Sequence, residues 1–341
     1  MNKKRAWLAA AIGGCAVVAV LLACVAFAAL MPFSRTDSAS YVYVDKDDTA
    51  DSVYHKLTQT PDSRMYLVRF WGKAMRYSSH VHTGRYQTGK HVSAFSLIRS
   101  LRAGRQEPVN LVIPVTHTLA AMAGRIAPKL QADSAALMKA FTDPELLAEL
   151  QADTATAPAL FVPNTYQVYW DIEPADLLRR MKREYEAFWD EGRRALARDL
   201  ELTPYEVAAL ASIVEQESAN QAERPAIAGM YINRLRQGMK LQADPTVKFA
   251  LGDFGLRRIM HAHLTTDSPY NTYMNEGLPP GPICIPSADA IDAVLNYEHH
   301  DYLYMCAKED FSGTHNFAAT YAEHLANARR YAEALNKRGI R

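Results

Sequence analysis

The chain carries almost no surplus of either charge. It has 38 basic and 37 acidic residues, a formal net charge of +1. Nucleic-acid binders carry a basic excess to meet phosphates, so that class is excluded. Cysteine is scarce: of the four, Cys15 and Cys24 fall in an apolar N-terminal stretch and Cys284 and Cys306 lie far downstream. None has zinc-finger spacing. A disulfide between the downstream two is chemically allowed in an exported domain, but two unpaired buried thiols are the simpler reading. The histidine pairs His80/His82, His261/His263 and His299/His300 have no second ligand set at helical spacing, which makes them surface or loop residues. Neither a metal nor an organic cofactor is called for, and no low-complexity tract appears.

Present instead is a long uncharged run. Lys3, Lys4 and Arg5 precede a stretch without charge from Ala6 to Ser34. About 20 apolar residues cross a bilayer. The basic cluster places the N-terminus in the cytoplasm and the bulk of the chain outside. A cleavable signal peptide is one alternative. A lipoprotein signal is another, because Leu21-Leu22-Ala23-Cys24 has the form of a lipobox. Apolar residues continue past Cys24 through Phe27, Leu30 and Phe33, beyond the ~7–15 residues of a signal core, and this favours a retained anchor over 6–33.

A second signal lies at 203–217. Thr203, Pro204 and Glu206 form a capping box with proline at N1. Val207, Leu210, Val214 and Glu217 follow at i, i+3, i+7 and i+10, which puts Glu217 on the apolar stripe. Glu215 falls well round the helix, towards solvent or a neighbouring loop. A carboxylate held among apolar groups keeps its proton at neutral pH, as a general acid must. The plain alternative is a helix-terminal glutamate paired with an arginine such as Arg224.

Five elements follow in order: Glu215-Gln216-Glu217-Ser218, Ile232-Asn233-Arg234-Leu235, Asp244-Pro245-Thr246-Val247, Tyr270-Asn271-Thr272-Tyr273 and Gly277-Leu278-Pro279-Pro280-Gly281-Pro282. In this series the chain resembles the endolytic murein transglycosylases, the YceG-like or MltG family. Gly313-Thr314-His315-Asn316-Phe317 matches as well, so the resemblance is concentrated in 203–317. Phe161-Val162-Pro163-Asn164-Thr165-Tyr166 departs from it: valine is inserted before the proline and asparagine replaces an acid, so no charged role is expected there.

The resemblance implies an α+β fold with an N-terminal transmembrane helix, a small LysM-like module over 41–106 and a mostly helical catalytic region with a small sheet over 107–341. The module rests on the order of its elements: a strand at 41–44, helices at 51–57 and 65–75, a strand at 84–87, then a helix at 93–103 stopped by Gly104. Glycan holding and plain spacing both remain open for it. Further on we expect a strand at 111–115, helices at 118–130 and 144–150, one amphipathic helix over 174–199, a helix at 226–235 stopped near Gly238, a strand at 302–305 and a last helix at 319–336.

The resemblance further implies that Glu217 is the catalytic acid. It would protonate the bond between N-acetylmuramic acid and N-acetylglucosamine, then take the proton of the muramic 6-hydroxyl as that oxygen closes onto C1. The product is a 1,6-anhydro end. Ser218, Asn233, Gln242, Tyr270, Asn271 and Tyr273 are candidates to hydrogen-bond sugar, with loop bracing as their other possible role. Arg234 either binds a peptide-stem carboxylate or pairs with Glu223. Asp244 is a helix cap or a second acid, and with it the same bond could be hydrolysed by two carboxylates. His315 either contacts sugar or orients a loop. Leu278-Pro279-Pro280 reads as a rigid groove wall. The implied partners are peptidoglycan strands, the membrane and peptidoglycan synthases. A binding scaffold with an idle acid is the non-enzymatic alternative.

Overall fold

The structure is a computed structural model that describes residues 3–256 and 258–339. It divides into two compact units. One comprises Met1–Asn110, Lys129–Gln131 and Gln167–Ile172; the other comprises the rest.

The first unit opens with helix α1 (Lys3–Leu30), whose segment Ala11–Leu30 is long and apolar enough to cross a membrane and is not buried by the rest of the chain. Then come β1 (Tyr41–Val44), α2 (Ala50–Thr58), α3 (Met65–Ala74), β2 (Gly84–Gln87) and α4 (Ala94–Ala103). β1 and β2 pair antiparallel from Tyr41↔Gln87 to Val44↔Gly84. Alternation sends Val42 and Val44 inward, against Val53, Leu57, Val68, Trp71, Tyr86, Leu97 and Leu101. Ser93 caps α4, and Gly104 ends it with φ of 64°.

The segment directly after α1 is seated on this unit. Phe33 and Ser34 are fully buried, and Ala28, Ala29 and Met31 pack on the same core. Phe33 N–H donates to Val92 O at 2.7 Å, and Ser34 Oγ donates to Pro61 O at 2.8 Å. The apolar run therefore serves two environments: its first part is free to face lipid, and its end fills a protein core.

The second unit is mostly helical. It contains α5 (Leu119–Ile126), α6 (Ser134–Phe141), α7 (Pro144–Glu149), α8 (Pro174–Phe188), α9 (Glu191–Asp199), α10 (Pro204–Glu217), α11 (Arg224–Arg236), α12 (Asp244–Leu251), α13 (Ala288–Leu295) and α14 (Tyr321–Lys337). β3 (Val109–Val112) pairs with β4 (Thr165–Val168). β5 (Tyr304–Ala307) pairs antiparallel with β6 (His315–Ala318).

The expected single helix over 174–199 is two. Trp189, 1 % exposed, turns out of α8 into the core, and Asp190 restarts the chain by accepting from Arg193 N–H at 2.9 Å. The eight-residue α6, capped by Asp133, was not anticipated. The other expected helices are present with shifted ends: the 118–130 segment holds only α5 and a following 3-10 turn at 127–129. All four cysteines are free.

Helix α10 is the axis of this unit. Its capping box forms as the sequence indicates, with Glu206 accepting from Thr203 N–H at 2.7 Å, and such a cap stabilises a helix by about 1 kcal/mol. Every residue from Val207 to Val214 is buried, so the helix is covered all round instead of on one stripe. Buried Ser212 Oγ accepts from Ile283 N–H at 2.9 Å, tying the proline-rich loop to the helix. Gly281 is required in that loop, because a Cβ there would stand 2.0 Å from Ala155 O.

Candidate active site

The two acids at the end of α10 meet different surroundings. Glu215 lies in an ion pair with Arg224 at 2.7 Å, with the side chains 10 % and 6 % exposed. Its other oxygen accepts from Ser287 N–H at 2.9 Å and from Ser287 Oγ. Glu215 thus faces a neighbouring loop, not solvent, and it is the acid that holds Arg224.

Among the described residues, Glu217 pairs with no arginine. Its Oε2 is sealed from water and has no hydrogen-bond partner. Loss of hydration, followed by the negative charge of Asp244, raises its pKa from 4.5 to about 7; a hydrogen bond from Tyr231 and the charges of Lys248 and Arg234 act in the opposite direction. A carboxyl poised near neutrality suits proton transfer both ways.

Glu217 opens into a cleft of about 180 Å³ lined by Met230, Tyr231, Arg234, Leu241, Gln242, Asp244, Tyr273 and Met305. Of the residues singled out in the sequence, it brings together Glu217, Arg234, Gln242, Asp244 and Tyr273. Tyr273 OH donates to Asp244 Oδ1 at 2.7 Å. Gln242 is exposed and holds a left-handed backbone, φ 52°, with its N–H donating to Thr272 O at 3.1 Å. A non-glycine residue there costs on the order of 1 kcal/mol, and such strain gathers at functional sites.

Arg234 does not pair with Glu223. It is 7 % exposed and donates from Nε to Leu303 O at 2.6 Å and from Nη1 to Leu241 O at 2.8 Å. Glu223 instead accepts from His315 N–H at 2.8 Å, and its other oxygen lies 3.2 Å from His315 Nδ1 and 3.4 Å from Ser218 Oγ. Ser218 and His315 are thus joined through Glu223, outside the residues lining the cleft.

Three more candidates serve as braces. Asn233 Nδ2 donates to His300 O at 2.6 Å and Tyr302 O at 3.1 Å. Asn271, fully buried, donates to Leu264 O and Thr266 O and accepts from Tyr273 N–H. Tyr270 lies against Phe249 with ring centroids 4.6 Å apart. Leu278, Pro279 and Pro280 do not line the cleft.

Sequence reasoning missed Tyr231. It is 1 % exposed, and burial, reinforced by Glu217, holds its hydroxyl well above the ordinary range, so it stays protonated. The signal was available: Tyr231 and Arg234 are three apart on α11 and share a face, which Asn233 leaves.

A lone protonatable carboxyl at a helix end, facing a polar cleft with a second acid, defines an acid–base site on a helical scaffold. Comparison with known proteins then gives the family. The family model described as "YceG-like family" matches residues 42–330, and the chain belongs to that family. It is 32 % identical over 168 residues to a protein of Bacillus subtilis strain 168 named endolytic murein transglycosylase, covering 49 % of this chain and 46 % of that one. A protein of the same name from Streptococcus pneumoniae strain D39 is 30 % identical over 274 residues, covering 71 % and 49 %. The chain therefore spans about half the length of these curated relatives. A crystal structure of a yceG-like protein from Listeria monocytogenes aligns with a TM-score of 0.57 at 26 % identity, over 84 % of this chain and 98 % of that one.

Proposed function

We infer that this chain is a membrane-anchored endolytic lytic transglycosylase acting on the glycan strands of peptidoglycan. The carrying observation is Glu217, a carboxyl with one oxygen sealed from water and a pKa of about 7, lining a polar cleft. Membership of the YceG-like family and the names of the relatives support the substrate. Glu217 donates its proton to the oxygen between N-acetylmuramic acid and N-acetylglucosamine as that bond breaks. The resulting carboxylate then takes the proton of the muramic 6-hydroxyl, whose oxygen closes onto C1. The substrate supplies its own nucleophile, so one carboxyl suffices and the entropy of recruiting water is avoided. To Tyr273 and Gln242, which line the cleft, we assign contact with sugar, while Arg234 shapes the cleft through the carbonyls it binds.

Helix α1 supplies the anchor, with its N-terminus in the cytoplasm and both units outside the cytoplasmic membrane; its length and apolarity support this. The 41–106 module is read as the LysM-like part, with glycan holding and plain spacing both open for it. Peptidoglycan synthases that polymerise those strands are the natural protein partners.

One observation favours a second reading. Asp244 shares the cleft, and its negative charge is felt by Glu217. Two carboxylates could activate water and hydrolyse the same bond. Mass spectrometry of digested peptidoglycan decides: 1,6-anhydro ends are expected, and reducing ends would establish the hydrolase. Strand binding with no cleavage at any pH would leave only a scaffold.

A further inference from the structure

A second compartment lies beside the Glu217 cleft. It is about 120 Å³ and is lined by His117, Gln216, Pro245, Lys248, Phe254 and Ile283. Chain neighbours divide between the two spaces: Glu217 and Asp244 line the first, Gln216 and Pro245 the second. The compartments therefore flank the same meeting of α10 with α12.

The chemistry of this compartment is selective. Lys248 makes no ion pair among the described residues, yet its charge reaches both His117 and Glu217. Burial and that same charge lower the His117 pKa, so the imidazole is neutral. Its ring stacks on Phe254 with centroids 4.3 Å apart and planes 11° apart, giving a flat wall. Gln216 adds an amide donor. A space of about 120 Å³ is large enough for a carboxylate on a short stem. A partly buried ammonium without a counter-ion is completed by an anion.

Resting on the reading of the first cleft as a glycan-cleaving site, we propose that this second compartment is a carboxylate-binding subsite, which takes an acidic substituent of the strand being cut. Lys248 supplies the charge, Gln216 the neutral hydrogen bond, and the stacked His117–Phe254 rings a flat side. In peptidoglycan that carboxylate comes either from the lactyl group of a stripped strand or from the stem peptide of a substituted one.

The test measures binding of three soluble glycan fragments to the full chain carrying Glu217→Gln, which removes the acid and leaves the strand intact. One fragment bears free lactyl carboxylates, one bears stem peptides, and one has its lactyl groups capped as neutral amides. The expected result is at least about tenfold weaker binding of the capped fragment than of one carboxylate-bearing fragment; which of the two binds more tightly identifies the source. Adding Lys248→Met, of similar length but uncharged, should abolish the difference while leaving affinity for the capped fragment unchanged, a control that the variant is folded. Equal binding of all three fragments would overturn the subsite whether or not the wild type cleaves. Absence of cleavage by the wild type, with the carboxylate preference intact, would instead overturn the enzymatic reading alone.

Discussion

Glu215 and Glu217 leave the same last turn of α10, yet only Glu215 finds an arginine. The Arg224 guanidinium and Ser287 satisfy Glu215, while Glu217 keeps one oxygen buried without a partner. The fold thus separates a structural acid from a chemical one across a single intervening residue.

This separation predicts opposite phenotypes. Glu217→Gln should abolish strand cleavage, with a rate loss of at least ~10³-fold, while the circular dichroism spectrum is unchanged. Glu215→Gln should retain most of its rate but lose stability. Deleting one member of a buried pair costs about 3–5 kcal/mol, and glutamine recovers part of this through its amide, so a loss of about 1–3 kcal/mol is expected in urea denaturation. A Glu215 variant that is as stable as wild type but inactive would reverse the two roles.

The Glu217 pKa also sets a pH dependence. Between about 4.5 and about 7 the folded chain holds a proton that the unfolded chain has lost. Stability should therefore fall as pH climbs through this window, and the penalty is complete above about 7. The gap corresponds to on the order of 3 kcal/mol at ~1.36 kcal/mol per pH unit. Glu217→Gln should be more stable than wild type at pH 8 and indistinguishable from it at pH 4. A thermal melt at each pH reads this directly. The cleavage rate should decline on the basic side with a midpoint near 7.

Asp244 is the next lever. Its charge is the second cause, after burial, of the raised Glu217 pKa. Asp244→Asn should move the basic limb of the rate profile to lower pH, because the acid then ionises more easily. Anhydro products should persist in this variant. Loss of all product in this variant would show instead that Asp244 is indispensable to the chemistry and does more than tune the acid.

Asn233→Ala tests a brace. The partly exposed carbonyls of His300 and Tyr302 lose their protein donor but can turn to water, at a cost of about 0.5–1.5 kcal/mol. Chemical denaturation should register this loss, with KM changed less than about twofold. A large rise in KM at unchanged stability would return Asn233 to a sugar-binding role.

Local rules made much of this legible. The α10 cap and the alternation of β1 follow from spacing within a few residues. What escaped depends on distant chain. Arg234 and Asn233 are consumed by carbonyls of residues 300–303, nearly 70 positions away. No periodicity reveals which carbonyl will lack a donor. The break at Trp189 hid for another reason: the charge pattern runs on through it, and only the inward turn of the indole with the Asp190 cap separates α8 from α9.

The seating of Phe33 and Ser34 has a mechanical consequence. Six unbound residues at 35–40 behaving as a free tether would let a domain wander roughly 13 Å from its anchor point. Here Lys90 N–H grips Thr36 O at 3.1 Å, and the end of α1 is wedged into the protein it carries. With α1 as the proposed anchor, its rotation about its own axis turns the core it is wedged into, and the join behaves as a stiff post rather than a leash.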